Sequence, residues 1–210
     1  MNDTFRIIVT EREGDIHTLR EPIVKNTEGG DNEQWNHAAA QLKNIQPIIK
    51  EEGNVMTITI PKEKLNGRNY ETLRIETSLL TAKAGEPGYM FFPTNFGSGF
   101  VSAYFTAREN TEFRSWLSAT PVAGVWGNER AVFARIDGMQ NDARFYAEVR
   151  DHVYRLCPEF QLDGEDLYED ISVVFYRMPN ATYVDMAKLY RKYQMEVKGC
   201  VPLAERMKNR

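Results

Sequence analysis

Cysteine, histidine and long apolar runs are all scarce in this sequence of 210 residues. Its two cysteines, Cys157 and Cys200, are too few and too far apart for a disulfide framework or a zinc site, which needs closely spaced ligand pairs. We expect two reduced thiols, although a bridge would be compatible with export. No window holds about 18 consecutive apolar residues, so no membrane span is predicted. A basic segment followed by an apolar run is also missing at the N-terminus, so no signal peptide is predicted.

A strong excess of either charge is missing too. The chain has 26 Lys and Arg residues against 30 Asp and Glu residues, which gives a net charge of −4. A nucleic-acid-binding chain needs a basic stripe that releases counterions from the phosphates, so no nucleic-acid partner is predicted. Hydrophobic residues make up 42% and charged residues 27%, a globular mixture that excludes disordered, collagen-like and coiled-coil chains.

The sequence contains no familiar nucleotide-binding or catalytic motif. Gly97-Ser98-Gly99 lacks the later glycine and the lysine of a phosphate-binding loop, and no nucleophile elbow or zinc-protease helix is present. The three histidines, His17, His37 and His152, lie far apart and have no Cys or carboxylate at ligand spacing. We therefore expect surface histidines, no catalytic residue, no metal site and no cofactor in this chain.

One segment near the C-terminus is rich in acidic residues. Residues 163–170 contain five carboxylates around a glycine. The run lacks the alternating Asp or Asn ligands and the terminal Glu of a helix-loop-helix calcium site. A solvated loop is the preferred interpretation, with calcium kept as the alternative cofactor.

Alternating apolar and polar residues dominate the first 177 positions and predict strands. The predicted strands span residues 5–10, 15–19, 55–60, 70–77, 89–92, 99–106, 122–126, 130–136, 142–150 and 171–176. Closely spaced turn signals favour an antiparallel β-sandwich over a parallel βαβ array, which would need a helix between successive strands. Residues 35–50 could hold one short helix that ends before Pro47.

The pattern changes to helical spacing from Asn180 onward. Apolar side chains repeat on one helical face at Tyr183, Met186, Ala187, Tyr190, Tyr193 and Val197. Asn180 is predicted to cap the first free N–H groups, and Gly199 to end the helix in a left-handed conformation. The fold class predicted is therefore mainly β, with a sandwich domain over 1–178 and a C-terminal amphipathic α-helix and tail over 179–210. The aromatic face must pack either against the sandwich or against a following domain.

The chain is rich in aromatic residues, with 3 Trp, 10 Tyr and 11 Phe. Flat rings beside amide or charged groups are typical of carbohydrate binding, whereas a sandwich also fills its core with such rings. Trp35 and Trp126 precede loop-like polar residues, and Asn128 follows Trp126 by two positions. We predict carbohydrate-binding residues among Trp35, Trp116, Trp126 and Asn128.

Three segments carry a resemblance to a known family. They are Thr81–Pro93 followed by Gly97-Ser98-Gly99, the segment Gly53–Lys62, and the closing segment Tyr183–Leu203 with its Ala-Lys-Leu-Tyr-Arg-Lys-Tyr core. Together they resemble the N-terminal galactose-mutarotase-like super-sandwich of large bacterial glycoside hydrolases of the endo-α-N-acetylgalactosaminidase type. In that family a (β/α)₈ barrel follows the sandwich, and the closing segment is the helical connection to it. The resemblance covers residues 50–205, and the polar residues 20–50 have no matching pattern.

The resemblance implies an accessory domain from a polysaccharide-degrading enzyme. The family's catalytic acids lie in the barrel, so the expected partners are carbohydrate and a catalytic domain that follows in the parent chain. No catalytic residue is carried over, and the resemblance favours an exported location. Two alternatives stay open: a stand-alone carbohydrate-binding module, and a small mutarotase-type enzyme, which would need a His base beside an acid.

Overall fold

Two antiparallel sheets and two C-terminal helices make up the part of the chain that the computed structural model describes. The described residues are 5–13, 16–25, 45–93, 100–104, 111–114, 120–127 and 130–208. Side chains are described at 5–9, 45–91, 120–127 and 130–208. Every strand pairing among these residues is antiparallel. The predicted mainly β fold, an antiparallel sandwich with a C-terminal helix, is confirmed.

The described residues form fourteen strands. They are β1 (Phe5–Glu13), β2 (Ile16–Lys25), β3 (Ile48–Glu52), β4 (Val55–Ile60), β5 (Tyr70–Thr77), β6 (Thr81–Lys83), β7 (Tyr89–Pro93), β8 (Phe100–Tyr104), β9 (Thr111–Arg114), β10 (Val122–Gly127), β11 (Arg130–Ile136), β12 (Ala143–Arg150), β13 (Val153–Gln161) and β14 (Ile171–Arg177). Two helices follow, α1 (Tyr183–Glu196) and α2 (Leu203–Lys208). Short 3₁₀ turns occur at Lys62–Lys64, Ser78–Leu80 and Gln140–Asp142.

Strand order defines two layers. Sheet A has the order β2-β1-β5-β13-β12-β9, with β6 paired to β13, and sheet B has the order β3-β4-β14-β11-β10-β7-β8. The core lies between the inner faces of the two sheets. In β4 the buried side chains alternate with half-buried ones, because successive strand residues point to opposite faces. Leu73 and Phe160 of sheet A and Ile58 and Phe175 of sheet B are fully buried in this core.

Four strands were not predicted: β3, β6, β9 and β13. Sequence patterns miss β13 because Pro158 lies inside it and because its turn has no Asn-Gly signal. Asp151 and His152 both adopt positive φ, which builds a two-residue turn that joins β12 and β13 with Arg150 opposite Val153. Pro158 is tolerated because residues 156–158 lie between the stretches of β13 that pair with β5 and β6.

Helix α1 packs on the outer face of sheet B. Met186 is completely buried there among Phe91, Val122 and Phe133. Gly124 makes this approach possible, because a Cβ at that position would lie 2.7 Å from the Met186 sulfur and 2.5 Å from the Phe91 ring. The absence of a side chain at Gly124 therefore lets the helix pack closely, and apolar burial then stabilises it on the sheet.

The start of α1 corrects the predicted cap. The N-cap is Thr182 and not Asn180, which adopts a left-handed φ of 61° before the helix. The Asp185 carboxylate accepts hydrogen bonds from the backbone N–H and the hydroxyl of Thr182, both at 2.9 Å, as in a capping box. Asp185 therefore has a pKa lowered chiefly by these two hydrogen bonds.

The end of α1 agrees with prediction. Gly199 has φ of 67°, and the N–H of Cys200 donates to the Gln194 carbonyl at 2.9 Å. The predicted aromatic face is only partly covered, because Met186 is buried and Tyr190 and Tyr193 are half-buried, whereas Tyr183, Ala187 and Val197 are exposed. A second short helix, α2, follows Pro202.

Two further findings concern elements expected from the sequence. The short helix expected within residues 35–50 falls mainly on residues 35–44, which lie outside the described residues, and residues 48–50 belong to strand β3. Neither α1 nor α2 combines the length and the apolar character that a membrane crossing requires, as judged on the described residues.

Candidate functional site

Trp126 lies in an aromatic trio beside the N-terminus of α1. Its ring stacks on Tyr89 with a centroid distance of 4.8 Å and an interplanar angle of 25°. Tyr183, the first residue of α1, contacts it in a tilted arrangement at 5.6 Å. Tyr89 and Trp126 are half-buried, and Tyr183 is 57% exposed. The trio thus offers aromatic surface to solvent at one end of strands β7 and β10.

A small open cavity of about 170 Å³ adjoins the trio. Glu86, Pro87, Trp126 and Arg130 are among its lining residues. Arg130 is held in place because its guanidinium donates to the carbonyls of Ser78 and Leu79 at 2.9 Å and 2.5 Å. Trp126, an acid and a fixed cation therefore line the same cavity.

Gly127, the residue after Trp126, lies against the turn at Pro87-Gly88. Its φ of 154° disfavours other residues, and a Cβ there would lie 2.2 Å from the Pro87 carbonyl oxygen. The turn at Pro87-Gly88 can therefore pass directly beside Trp126. Any side chain at position 127 would force the turn and the strand apart.

Of the predicted carbohydrate-binding residues, the structure describes the side chain of Trp126 alone. Trp35, Trp116 and Asn128 lie outside the described residues. The carbohydrate-binding role of all four stays a prediction. Sequence reasoning missed Tyr89, Tyr183, Glu86 and Arg130, because their closeness to Trp126 depends on strand pairing and on helix docking. The pairing of Tyr89 with Trp126 across β7 and β10 is the signal that a strand alignment could have supplied.

A second polar cluster lies at the other end of α1. Arg135 of β11 is buried, and its guanidinium donates to both carboxylate oxygens of Asp137, at 2.6 Å and 2.8 Å, and to the Tyr176 hydroxyl at 2.7 Å. The Tyr193 ring of α1 covers the guanidinium at 3.5 Å. This Arg135 cluster, formed by Arg135, Asp137, Tyr176 and Tyr193, joins the helix to sheet B.

The phenols of the Arg135 cluster are held in their neutral form. Burial, followed by the nearby charge of Asp137 and a hydrogen bond to it, raises the pKa of Tyr193 to about 12. Burial also raises the pKa of Tyr176, and the Arg135 cation opposes that rise. Both phenols are neutral at pH 7, and the Tyr193 hydroxyl is hydrogen-bonded to Asp137.

The outer face of sheet A carries a different set of polar groups. Glu159 accepts from Arg74 at 2.7 Å and from Arg144 at 2.6 Å, and it is 1% exposed. The Arg74 guanidinium lies 3.4 Å from the centre of the Tyr146 ring, and the Tyr146 hydroxyl donates to Glu148. The Glu159 network is defined here as these five residues.

Charge pairing sets the titration of this network. Burial by itself would raise the pKa of Glu159, but the Arg74 and Arg144 cations hold it below its ordinary value. Burial raises the pKa of the neighbouring Cys157 thiol well above its ordinary value. Because the carboxylate is ionised and fully paired, this face is suited to holding strands together rather than to exchanging protons.

The acidic run is bonded to the protein around it. Asp166 accepts from the Gly67 N–H at 2.8 Å, Asp170 from the Lys62 N–H at 3.0 Å, and Glu169 from the Met139 N–H at 2.5 Å. These carboxylates anchor the loop to three backbone segments. No group of three or more His, Cys, Asp or Glu side chains suited to a metal occurs among the described residues.

The cysteines and histidines occupy separate places. Cys157 is buried in β13 and Cys200 is exposed after α1, and neither is disulfide-bonded. His152 lies in the exposed turn before β13. The side chain of His17 and all of His37 lie outside the described residues, so the mutarotase-type alternative stays untested there.

Comparison with known proteins finds matches among solved structures. No family model matches the chain, and no curated protein matches it. Among solved structures, the chain is similar to the ligand-free α-N-acetylgalactosaminidase NagBb from Bifidobacterium bifidum, with a TM-score of 0.43 and 13% sequence identity. The similarity covers 72% of this chain and 30% of that enzyme. No residue role is carried over from this comparison.

Proposed function

We propose that this chain is a non-catalytic β-sandwich domain of a glycoside hydrolase and that it contacts carbohydrate through the Trp126 trio. The observation that carries the proposal is the half-buried Trp126 ring beside a cavity lined by Glu86 and Arg130. A pyranose has apolar C–H faces, which suit an aromatic ring, and a rim of hydroxyls, which suits charged donors and acceptors.

The accessory role rests on two further features. The carboxylates of the Glu159 network are paired with arginines, which favours a structural use for them. Exposed apolar side chains on α2 support contact with a further domain, because Leu203 and Met207 are each at least 66% exposed. In this proposal residues 1–178 form the sandwich, and residues 179–210 form the connection to a catalytic domain.

Binding is tested by titrating the whole chain with methyl galactoside and N-acetylgalactosamine in a calorimeter, and the Trp126 indole N–H of the unchanged chain is followed by NMR in parallel. Trp126→Ala should weaken binding by about tenfold, which corresponds to about 1.4 kcal/mol. The control is Tyr168→Ala, which removes an exposed ring that lies in the acidic run of residues 163–170 and is not part of the trio. Equal affinities for Trp126→Ala and the unchanged chain, with both folded by circular dichroism, would refute the Trp126 site.

Catalytic inactivity is tested separately with chromogenic glycosides. We expect no turnover above the uncatalysed rate by the purified chain. Turnover that disappears on replacing a single carboxylate with its amide would overturn the accessory assignment, whatever the binding experiment shows.

A further inference from the structure

A second groove lies on the outer face of sheet B, between β11, β14 and the C-terminal half of α1. Its volume is about 390 Å³, within the range of small-molecule sites. It is lined by Arg135, Asp137, Tyr176, Leu189, Lys192, Tyr193, Glu196 and Val197. None of these residues lines the cavity at Trp126. Arg135 lies four residues beyond Ala131, the partner of Trp126, so the two sites are separated by roughly 13 Å along the strands.

The charges of the groove are balanced. Arg135 is paired with Asp137 on the floor, and Lys192 lies 3.9 Å from Glu196 on the rim. An anionic or cationic ligand would gain little net attraction here and would lose hydration on entry. A neutral ligand meets donors and acceptors of both kinds, so the electrostatics favour an uncharged polar molecule.

The floor is already ordered before any ligand binds. Three hydrogen bonds fix the Arg135 guanidinium, and the Tyr193 ring is stacked on it. Arg135 as a whole is only 7% exposed. Leu189 and Val197 supply apolar walls. Fixed polar groups between apolar walls reduce the entropy cost of binding, which is the requirement for recognising a small polyhydroxylated ligand.

We propose that this Arg135 groove is a second subsite for a neutral saccharide, on the same face as the Trp126 site. The inference rests on the proposed function, because it takes the ligand class from it. It adds a second binding site and a preference for neutral over charged saccharides, which the Trp126 site does not specify.

The test titrates the whole chain, ¹³C-labelled at methyl groups, with methyl galactoside and in parallel with galacturonate. We expect methyl galactoside to shift the methyl resonances of Leu189 and Val197, and galacturonate to require at least a fivefold higher concentration for the same shift. Stronger binding of galacturonate than of methyl galactoside in the groove would overturn the neutral-ligand assignment.

Two exposed valines give a matched pair of variants. Val197→Arg places a long cation in the groove and should abolish the Leu189 shift. Val201→Arg adds the same side chain at a position that does not line the groove and should leave the shift unchanged. Both positions are exposed, at 66% and 48%, so neither variant should unfold the chain. Retention of the Leu189 shift in Val197→Arg would contradict the subsite.

The NMR signals of the two sites distinguish the subsite proposal from the proposed function. A shift at the Trp126 indole without any shift at Leu189 or Val197 refutes the groove and leaves the proposed function standing. A shift at the groove alone supports the subsite and refutes the role of Trp126. Silence at both places refutes the carbohydrate-binding proposal together with the subsite.

Discussion

The two outer faces of the sandwich are stabilised by different interactions. On sheet B, apolar and aromatic side chains are covered by α1, which inserts Met186 above Gly124. On sheet A, Glu159 lies in a row of cross-strand charge pairs and is almost completely buried. Burial of apolar area holds the first face, and paired charges hold the second.

The difference indicates where ligand chemistry is available. The Glu159 network uses its hydrogen-bonding capacity within the sheet, whereas the sheet B face leaves aromatic rings and balanced charges beside two openings. The Trp126 trio includes the first residue of α1, and the C-terminal half of α1 lines the Arg135 groove. Sheet B is therefore the face on which we place recognition, and sheet A the face on which we place mechanical support.

The largest expected effect concerns the charged face. Glu159→Ala should lower the free energy of unfolding by about 3–5 kcal/mol, because it leaves the Arg74 and Arg144 charges without their buried partner. The control is Glu51→Ala, which breaks the more exposed pair with Arg177 and should cost at most about 1 kcal/mol. Urea unfolding measures both values. Equal losses for the two variants would remove the distinction between a buried network and ordinary surface pairs.

The next effect concerns the helix-covered face. Met186→Ala should destabilise the chain by about 2–5 kcal/mol, because it opens a cavity between α1 and the sheet. Met195→Ala, on the same helix but 41% exposed, should change stability by no more than about 0.5 kcal/mol. Thermal and urea unfolding provide the comparison. A loss below 1 kcal/mol for Met186→Ala would mean that α1 is not held by this contact.

The smallest expected effects are on the pH dependence of stability, to which Glu159 of sheet A and Tyr193 over sheet B contribute in different pH ranges. The pKa of Glu159 is lower in the folded chain, so its contribution is present above the unfolded pKa and is lost as pH falls through the folded pKa. The pKa of Tyr193 is raised from 10 to about 12, so its contribution is present below pH 10 and is lost as pH rises toward 12.

Unfolding curves measured across both pH ranges test this assignment. Glu159→Gln should flatten the acid limb of the stability profile and leave the alkaline limb alone. Tyr193→Phe should do the reverse. The same change in both limbs from either variant would show that the two faces are not titrating separately.

Local patterning predicted the strands that alternate cleanly and the helix, but it did not predict how these elements meet. β4, β5 and β14 follow from their alternation, and Gly199 follows from its place after the last helical turn. β13 was hidden by Pro158 and by a turn whose positive φ values fall on Asp and His. The cap moved from Asn180 to Thr182 because Asp185 stands three residues after Thr182, a pairing visible in the sequence.

The sites were less predictable, for a physical reason. Trp126 was selected from its polar neighbours in sequence, whereas its partners Tyr89 and Tyr183 reach it only through strand pairing and helix docking. Arg135 alternates outward on β11 like any surface residue. Its burial depends on Tyr193, which lies 58 positions later in the chain on α1. No local pattern contains that information.

Hydrogen exchange with and without methyl galactoside tests the division of the two faces most directly. The account predicts that the sugar slows exchange in β10, β11 and α1, and that exchange in β12 and β13 is unchanged. Protection that appears in β12 and β13 but not in α1 would place recognition on the charged face and would contradict the account.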